Sequence, residues 1–191
     1  GASDFNVMQG DTLRDPKILQ GGNIAKFDCV IANPPFSLEN WGATEWSSDK
    51  YKRNIYGTPS DSCGDYAWIQ HMICSMSSGK GRMAVVMPQG ILFRGNQEAE
   101  IRKQLVESDL IEAVVTLGDK LFYGTGLSPC FLIIRRMKPA HHSGRILMID
   151  GSKILTQKRA QNILEENDID RLYSLYQNYS DEEDYSRIVT L

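Results

Sequence analysis

The chain has 191 residues, of which 41% are hydrophobic and 24% charged, enough apolar chain to bury one domain-sized core. Its formal net charge of −3 argues against a free-standing nucleic-acid-binding module that relies on a large basic surface. No apolar run approaches the ~18 residues of a membrane span, and no secretory signal pattern is present.

Taken in chain order, residues 5–8 read as a short strand ending at Gly10-Asp11. The apolar run Phe27-Asp28-Cys29-Val30-Ile31-Ala32 reads as a buried parallel strand. The stretch 37–64, rich in Ser, Asn, Asp and Gly, is expected to be a long loop, and loops of that length in compact domains are usually functional or mobile. Residues 66–77 carry Trp68, Ile69, Met72, Ile73 and Met76 at helical spacing. Gly79 and Gly81 break that helix before a strand at 83–87. Asn96 is the expected N-cap of a helix reaching Glu107, with Ile101, Leu105 and Val106 toward the sheet. Strands are expected at 111–117 and 130–135, joined by a glycine-containing loop, and at 146–149. The remainder, roughly 156–179, reads as a polar helix, followed by the acidic run Asp181-Glu182-Glu183-Asp184, read as a solvated face. Strands alternating with helices define an α/β fold. The expected division is a main unit, 1–155, and a helical extension, 156–191.

The chemistry concentrates at Asn33-Pro34-Pro35-Phe36, where the 27–32 strand ends. Ligand crevices of open α/β sheets lie at carboxyl strand ends. Two successive prolines fix φ and supply carbonyls without competing N–H donors, so the turn is rich in acceptors. The Asn33 side-chain oxygen and the Pro34 carbonyl can together accept both hydrogens of an exocyclic amino group, aiming its lone pair at an electrophile. Phe36 can stack on the ring that bears the amine. The plainer alternative is that Asn-Pro-Pro only punctuates a strand.

The segment Phe27 to Ser37, followed by Trp41-Gly42, resembles the acceptor motif of S-adenosylmethionine-dependent N6-adenine DNA methyltransferases, most closely the methylation (M) subunit of Type I restriction-modification systems. Gln9-Gly10-Asp11-Thr12-Leu13, Gly81-Arg82-Met83-Ala84-Val85-Val86-Met87-Pro88 and Leu121-Phe122-Tyr123-Gly124-Thr125-Gly126 fit the same family in order and spacing. The resemblance implies a partial Rossmann-like methyltransferase fold, with the strands at 111–117 and 130–135 as its closing antiparallel hairpin. It also implies S-adenosyl-L-methionine as cofactor, and as partners DNA, a specificity subunit and a second M subunit, with a restriction subunit also compatible. By the same resemblance Asn33, Pro34, Pro35 and Phe36 are the catalytic turn, and Asp11, Thr12, Leu13 and Asn33 contact the cofactor. Phe122 and Tyr123 would hold a flipped base from its far side.

Two features qualify this picture. The family carries a glycine-rich cofactor loop after its first strand, and the 32 residues before Asn33 contain no strand, glycine loop and helix in succession, so the chain reads as the second half of such a domain. Gly124-Thr125-Gly126 is no substitute, because Pro129 would end a phosphate-cradling helix before it formed. Cys29, Cys63, Cys74 and Cys130 lack CxxC or Cys/His spacing and read as reduced thiols of a cytoplasmic protein without a metal site. Two rival readings stand beside the DNA methyltransferase: a methyltransferase acting on protein glutamine, whose acceptor is also a planar NH₂ group, and a noncatalytic assembly module. Asp11 has its own alternative as a turn aspartate, and Trp41 and Trp46 fit either a DNA-facing rim or a cover over the sheet.

Overall fold

In the computed structural model, which describes residues 5–122 and 126–191, the chain builds one six-stranded mixed sheet and a small hairpin. The hairpin pairs β1 (Leu19–Gln20) with β2 (Asn23–Ile24) through Gly21 and Gly22, whose φ angles of 58° and 78° suit a two-residue turn that side chains resist. The sheet contains β3 (Cys29–Ala32), β4 (Arg82–Pro88), β5 (Ile111–Leu117), β6 (Pro129–Arg135), β7 (Arg145–Gly151) and β8 (Ser186–Thr190) in the order β3-β4-β6-β5-β7-β8. The β3–β4 and β5–β7 pairs are parallel and the other three antiparallel. The carboxyl ends of β3, β4, β5 and β7 therefore share one end of the sheet.

Period-2 patterning divides the core between the two faces. Cys130, Leu132 and Ile134 of β6 point into a cluster with Met83, Val85 and Met87 of β4. That cluster is roofed by α2 (Asp65–Ser75) and α3 (Gln97–Glu107). Phe131 and Ile133 point the other way, toward Leu172 and Leu175 of α4 (Glu166–Asn178). A bulge between Ile111 and Ala113 lets Ile111 and Val114, three residues apart, face the same cluster, because the extra residue reverses the alternation. Each fully buried aliphatic side chain in these layers contributes about 1.5–3 kcal/mol.

The helices and strands expected at 66–77, 83–87, 96–107, 111–117, 130–135 and 146–149 are present with boundaries shifted by one to two residues, and the 111–117 and 130–135 strands form the expected antiparallel pair. Other expectations need correction. Residues 5–8 form no strand: Phe5 and Val7 are exposed and no ladder reaches them among the described residues. The 29–32 strand is not buried on both faces. It lies at the sheet edge, paired only to β4, with Val30 and Ala32 against the core and Ile31 77% exposed. Residues 156–165 are not helical; Thr156 and Ile163 bridge, and the chain turns into α4 only at Glu165, where a capping box with Asp168 starts the helix. The acidic run is more than a solvated face. It leads into β8, with Asp181 accepting the Ile188 N–H at 2.7 Å and Glu182 paired to Arg171. No helix among the described residues is long and apolar enough to cross a membrane.

His71 of α2 titrates with a structural consequence. Burial, helped by the neighbouring Arg53 guanidinium, lowers its pKa from 6.5 to about 4. The unfolded chain binds this proton as pH falls below 6.5 and the folded chain does not until about 4, so stability is lost across that window as pH falls. The full effect is on the order of 3 kcal/mol. Urea unfolding between pH 7 and 4.5 should show this decline, and His71→Gln should flatten it; an unchanged slope in the variant would exclude His71 as its source.

Candidate functional site

Asn33 leaves the carboxyl end of β3 into solvent, and its side-chain amide makes no hydrogen bond among the described residues. Pro34 is buried, Pro35 exposed and Phe36 half-buried. The Phe36 ring meets the Phe122 ring edge-to-face, with centroids 6.3 Å apart and planes at 71°. Sequence positions 86 residues apart are thus joined because the loop after β5 returns over the same sheet end as the turn after β3. Gln89, just past β4, ties this end together: its side-chain amide donates to the Leu117 carbonyl at 3.2 Å and its N–H to the Ser128 carbonyl at 3.1 Å. Tyr123, expected beside Phe122, lies outside the described residues.

Behind the turn sits a buried charged network that the sequence reading did not single out. Ser37 has φ of 50° and donates its N–H to Asp65 Oδ1 at 2.7 Å. Asp65, the first residue of α2, is wholly buried and ion-paired to Arg94. Arg94 Nε lies 2.7 Å from Glu98 Oε2, four residues along in the first turn of α3. The Arg94–Glu98–Arg102 spacing of four was the available signal. Burial opposes the Arg94 charge, but its bond to Asp65 and the attraction of Glu98 outweigh that and raise its pKa. The Cys63 thiol donates to Asp65 Oδ2 at 3.3 Å, and burial with the nearby carboxylates pushes its pKa up to about 12. The ligand atoms of Cys63, Asp65 and Glu98 lie within 4.8 Å of one another. A thiol held protonated is a poor metal ligand, and the guanidinium already bonds both carboxylates where a cation would sit.

The Asp11-Thr12-Leu13 segment lies on a turn instead of at a strand end. Asp11 Oδ1 accepts the N–H groups of Leu13 and Arg14, each at 3.0 Å, so one carboxylate oxygen caps the turn. Asp11 Oδ2 stands 3.6 Å from Arg14 Nη1 on the exposed side. Leu13 keeps only 3% of its surface exposed. It is buried with Trp41, Trp46 and Ala67, its N–H bonds Asp11, and its carbonyl accepts from Arg53. The buried Arg53 guanidinium also donates to Thr12 O at 2.9 Å, pairs with Asp49 at 2.7 Å and lies 4.4 Å over the Trp46 ring. Arg14 in turn donates to the Asn40 carbonyl. The Asp11 segment is thus stitched to the loop that follows Phe36.

The same bonds explain why the polar 37–64 stretch is ordered. Trp41 is buried, donates to Ser60 O at 2.8 Å and meets Trp46 edge-to-face at 5.6 Å, which makes both tryptophans core and not rim. The buried Gln70 accepts the Tyr56 N–H at 2.8 Å and donates to Gly57 O at 2.9 Å. Short helix α1 (Ala43–Ser47) completes the packing. A hollow of about 200 Å³ lined by Thr12, Phe27, Val30, His71 and Ser75 draws none of its walls from the 33–37 turn.

An α/β sheet with the antiparallel strand β6 inserted between the parallel strands β4 and β5, in its middle and not closing its edge, and with an Asn-Pro-Pro-Phe turn at a parallel strand's carboxyl end, places the fold in the methyltransferase class. The family model described as N-6 DNA Methylase matches residues 1–191, and the chain belongs to that family. It is 34% identical over 199 residues to the Type I restriction enzyme MjaVII methylase subunit of Methanocaldococcus jannaschii, covering 100% of this chain and 33% of that protein. It is 32% identical over 152 residues to the HindI methylase subunit of Haemophilus influenzae, covering 79% and 32%. Among solved structures, the type I restriction-modification methyltransferase subunit of Streptococcus thermophilus superposes with a TM-score of 0.84 at 28% identity, over 94% of this chain and 37% of that one. The chain spans about one third of the length of these relatives.

Proposed function

We propose that this chain supplies the acceptor pocket of a DNA adenine-N6 methyltransferase, the methylation subunit of a Type I restriction-modification system. The observation that carries this reading is the exposed Asn33 amide, unbonded among the described residues, three positions before Phe36, whose ring is braced by Phe122. An amine inside a base pair cannot meet an electrophilic carbon, so the adenine is flipped out at a few kcal/mol of unstacking. Phe36 stacks on the base; Asn33 Oδ1 and the Pro34 carbonyl accept the two N6 hydrogens and turn the lone pair toward the methyl group.

S-adenosyl-L-methionine, when bound, supplies that methyl group on a sulfonium centre. The residues present fit it in part: the exposed Asp11 Oδ2, 3.6 Å from Arg14 Nη1, is an acceptor that a cofactor amino group could reach. Thr12 is half-buried and lines the hollow of about 200 Å³, and Leu13 acts as packing. Target recognition falls to a specificity subunit with a second methylation subunit, a reading supported only by the relatives being named methylase subunits of Type I restriction enzymes, and we place the assembly in the cytoplasm.

The intact methylation subunit, assembled with its specificity subunit and given tritiated S-adenosylmethionine, should label duplex DNA as N6-methyladenine after nucleoside digestion. Label on glutamine of an offered protein would replace the DNA reading with the glutamine one. Cofactor binding without transfer to either acceptor would favour the assembly module.

A further inference from the structure

We propose that Asp65 is a positioning residue for the acceptor turn, acting through the Ser37 N–H and the Arg94 guanidinium to hold Asn33 and Phe36 where a base can be captured. The inference rests on the function proposed above. Three independent observations support it.

The backbone immediately after Phe36 is held in a conformation that a serine resists: Ser37 sits at φ 50°, and residues in that region persist only when surrounding contacts over-determine them. The contact that does so is a charged one, because the Ser37 N–H points at a carboxylate with no exposed surface. A buried carboxylate is retained only when paired and bonded, and besides the Cys63 thiol its partners here are the Ser37 N–H of the turn and the Arg94 guanidinium that braces it. Arg94 arrives from the segment after β4, pairs with Asp65 and reaches Ser37 Oγ at 3.5 Å. Glu98 then holds Arg94 from the first turn of α3. Two further backbone bonds run beside it, Gly64 N–H to Leu38 O at 2.9 Å and Asn40 N–H to Asp61 O at 2.9 Å. The turn is therefore referenced to α2 and α3, the rigid roof of the sheet, and not to the edge strand it leaves. A hydrophobic residue would fill the Asp65 site more cheaply if packing were its only task.

In the intact methylase, Asp65→Asn should lower single-turnover methyl transfer at least about tenfold, since sub-ångström to 1 Å misplacement of a positioning group has effects of that order or larger. The KM for S-adenosylmethionine should stay within about twofold. Hydrogen exchange should accelerate in the peptide spanning 33–40 and remain unchanged in β5 to β8. Arg94→Gln should reproduce the pattern and Arg94→Lys should partly rescue it. The Asp65→Asn/Arg94→Gln double variant should be no slower than the worse single, as expected of one unit. Arg94 is partly exposed, so its variants read the same device if Asp65→Asn does not fold. Unchanged exchange across 33–40 overturns the proposal, as does faster exchange throughout the molecule, which would mark Asp65 as general packing. A wild-type enzyme that makes no N6-methyladenine would sink the function reading instead, while the exchange pattern still judges the positioning role.

Discussion

Asn33→Ala in the intact methylase is expected to lower methyl transfer by about 10²–10³-fold, the range seen when one preorganised hydrogen-bonding group is removed from a reacting centre. Fold stability should change by no more than about 0.5 kcal/mol, because the side chain is exposed and bonds nothing among the described residues. Cofactor affinity should be nearly unchanged. Asn33→Asp should lose less activity than Asn33→Ala, since a carboxylate still offers acceptor oxygens to the N6 hydrogens. Rapid-quench measurement of N6-methyladenine, with calorimetric titration of S-adenosylmethionine, separates the two effects. Full activity in the alanine variant would remove the side chain from the mechanism.

Arg53→Met should produce the largest loss of stability, about 3–5 kcal/mol, because it leaves a buried partner without compensation. The guanidinium holds Thr12 O, Leu13 O and the nearly buried Asp49 at once, and methionine retains only the aliphatic stem. Burial alone would raise the Asp49 pKa, and the bonds from Arg53 hold it below its usual value instead. A depressed carboxylate contributes stability above its unfolded pKa and loses it as pH falls through the folded value. The gap between wild type and Arg53→Met should therefore be widest near neutral pH and narrow below about pH 4. Urea unfolding at pH 7 and at pH 3.5 checks both statements. Since Arg53 ties the Asp11 segment to the loop after Phe36, faster amide exchange at 11–14 should accompany the loss.

These two residues show unequal legibility. The role proposed for Asn33 could be read from sequence because it needs only local chemistry: an amide, two prolines and an aromatic ring in succession after an apolar run. Arg53 looked like one cation in a polar stretch, and its 1% exposure follows from packing between Trp46, Asp49 and a segment some 40 residues upstream. Asp65 was likewise hidden at the start of an apolar helix, where a carboxylate reads as a favourable helix N-terminal charge. What made it central was the return of residues 37 and 94 to the same place.

By itself the sequence determined the α/β class, the helices and strands with strong periodicity, and the Asn-Pro-Pro-Phe turn at a strand end, because hydrophobic period and turn chemistry are encoded within a few neighbouring residues. Pairing was decided only in three dimensions. Residues 5–8 had strand-forming side chains and no ladder partner among the described residues, 29–32 became an edge strand, and 186–190 joined the sheet beside β7. A ladder needs a neighbour that local sequence does not name. The same long-range closure placed Phe122 on Phe36 and Asp65 under Ser37, turning a recognisable tetrapeptide into a braced site.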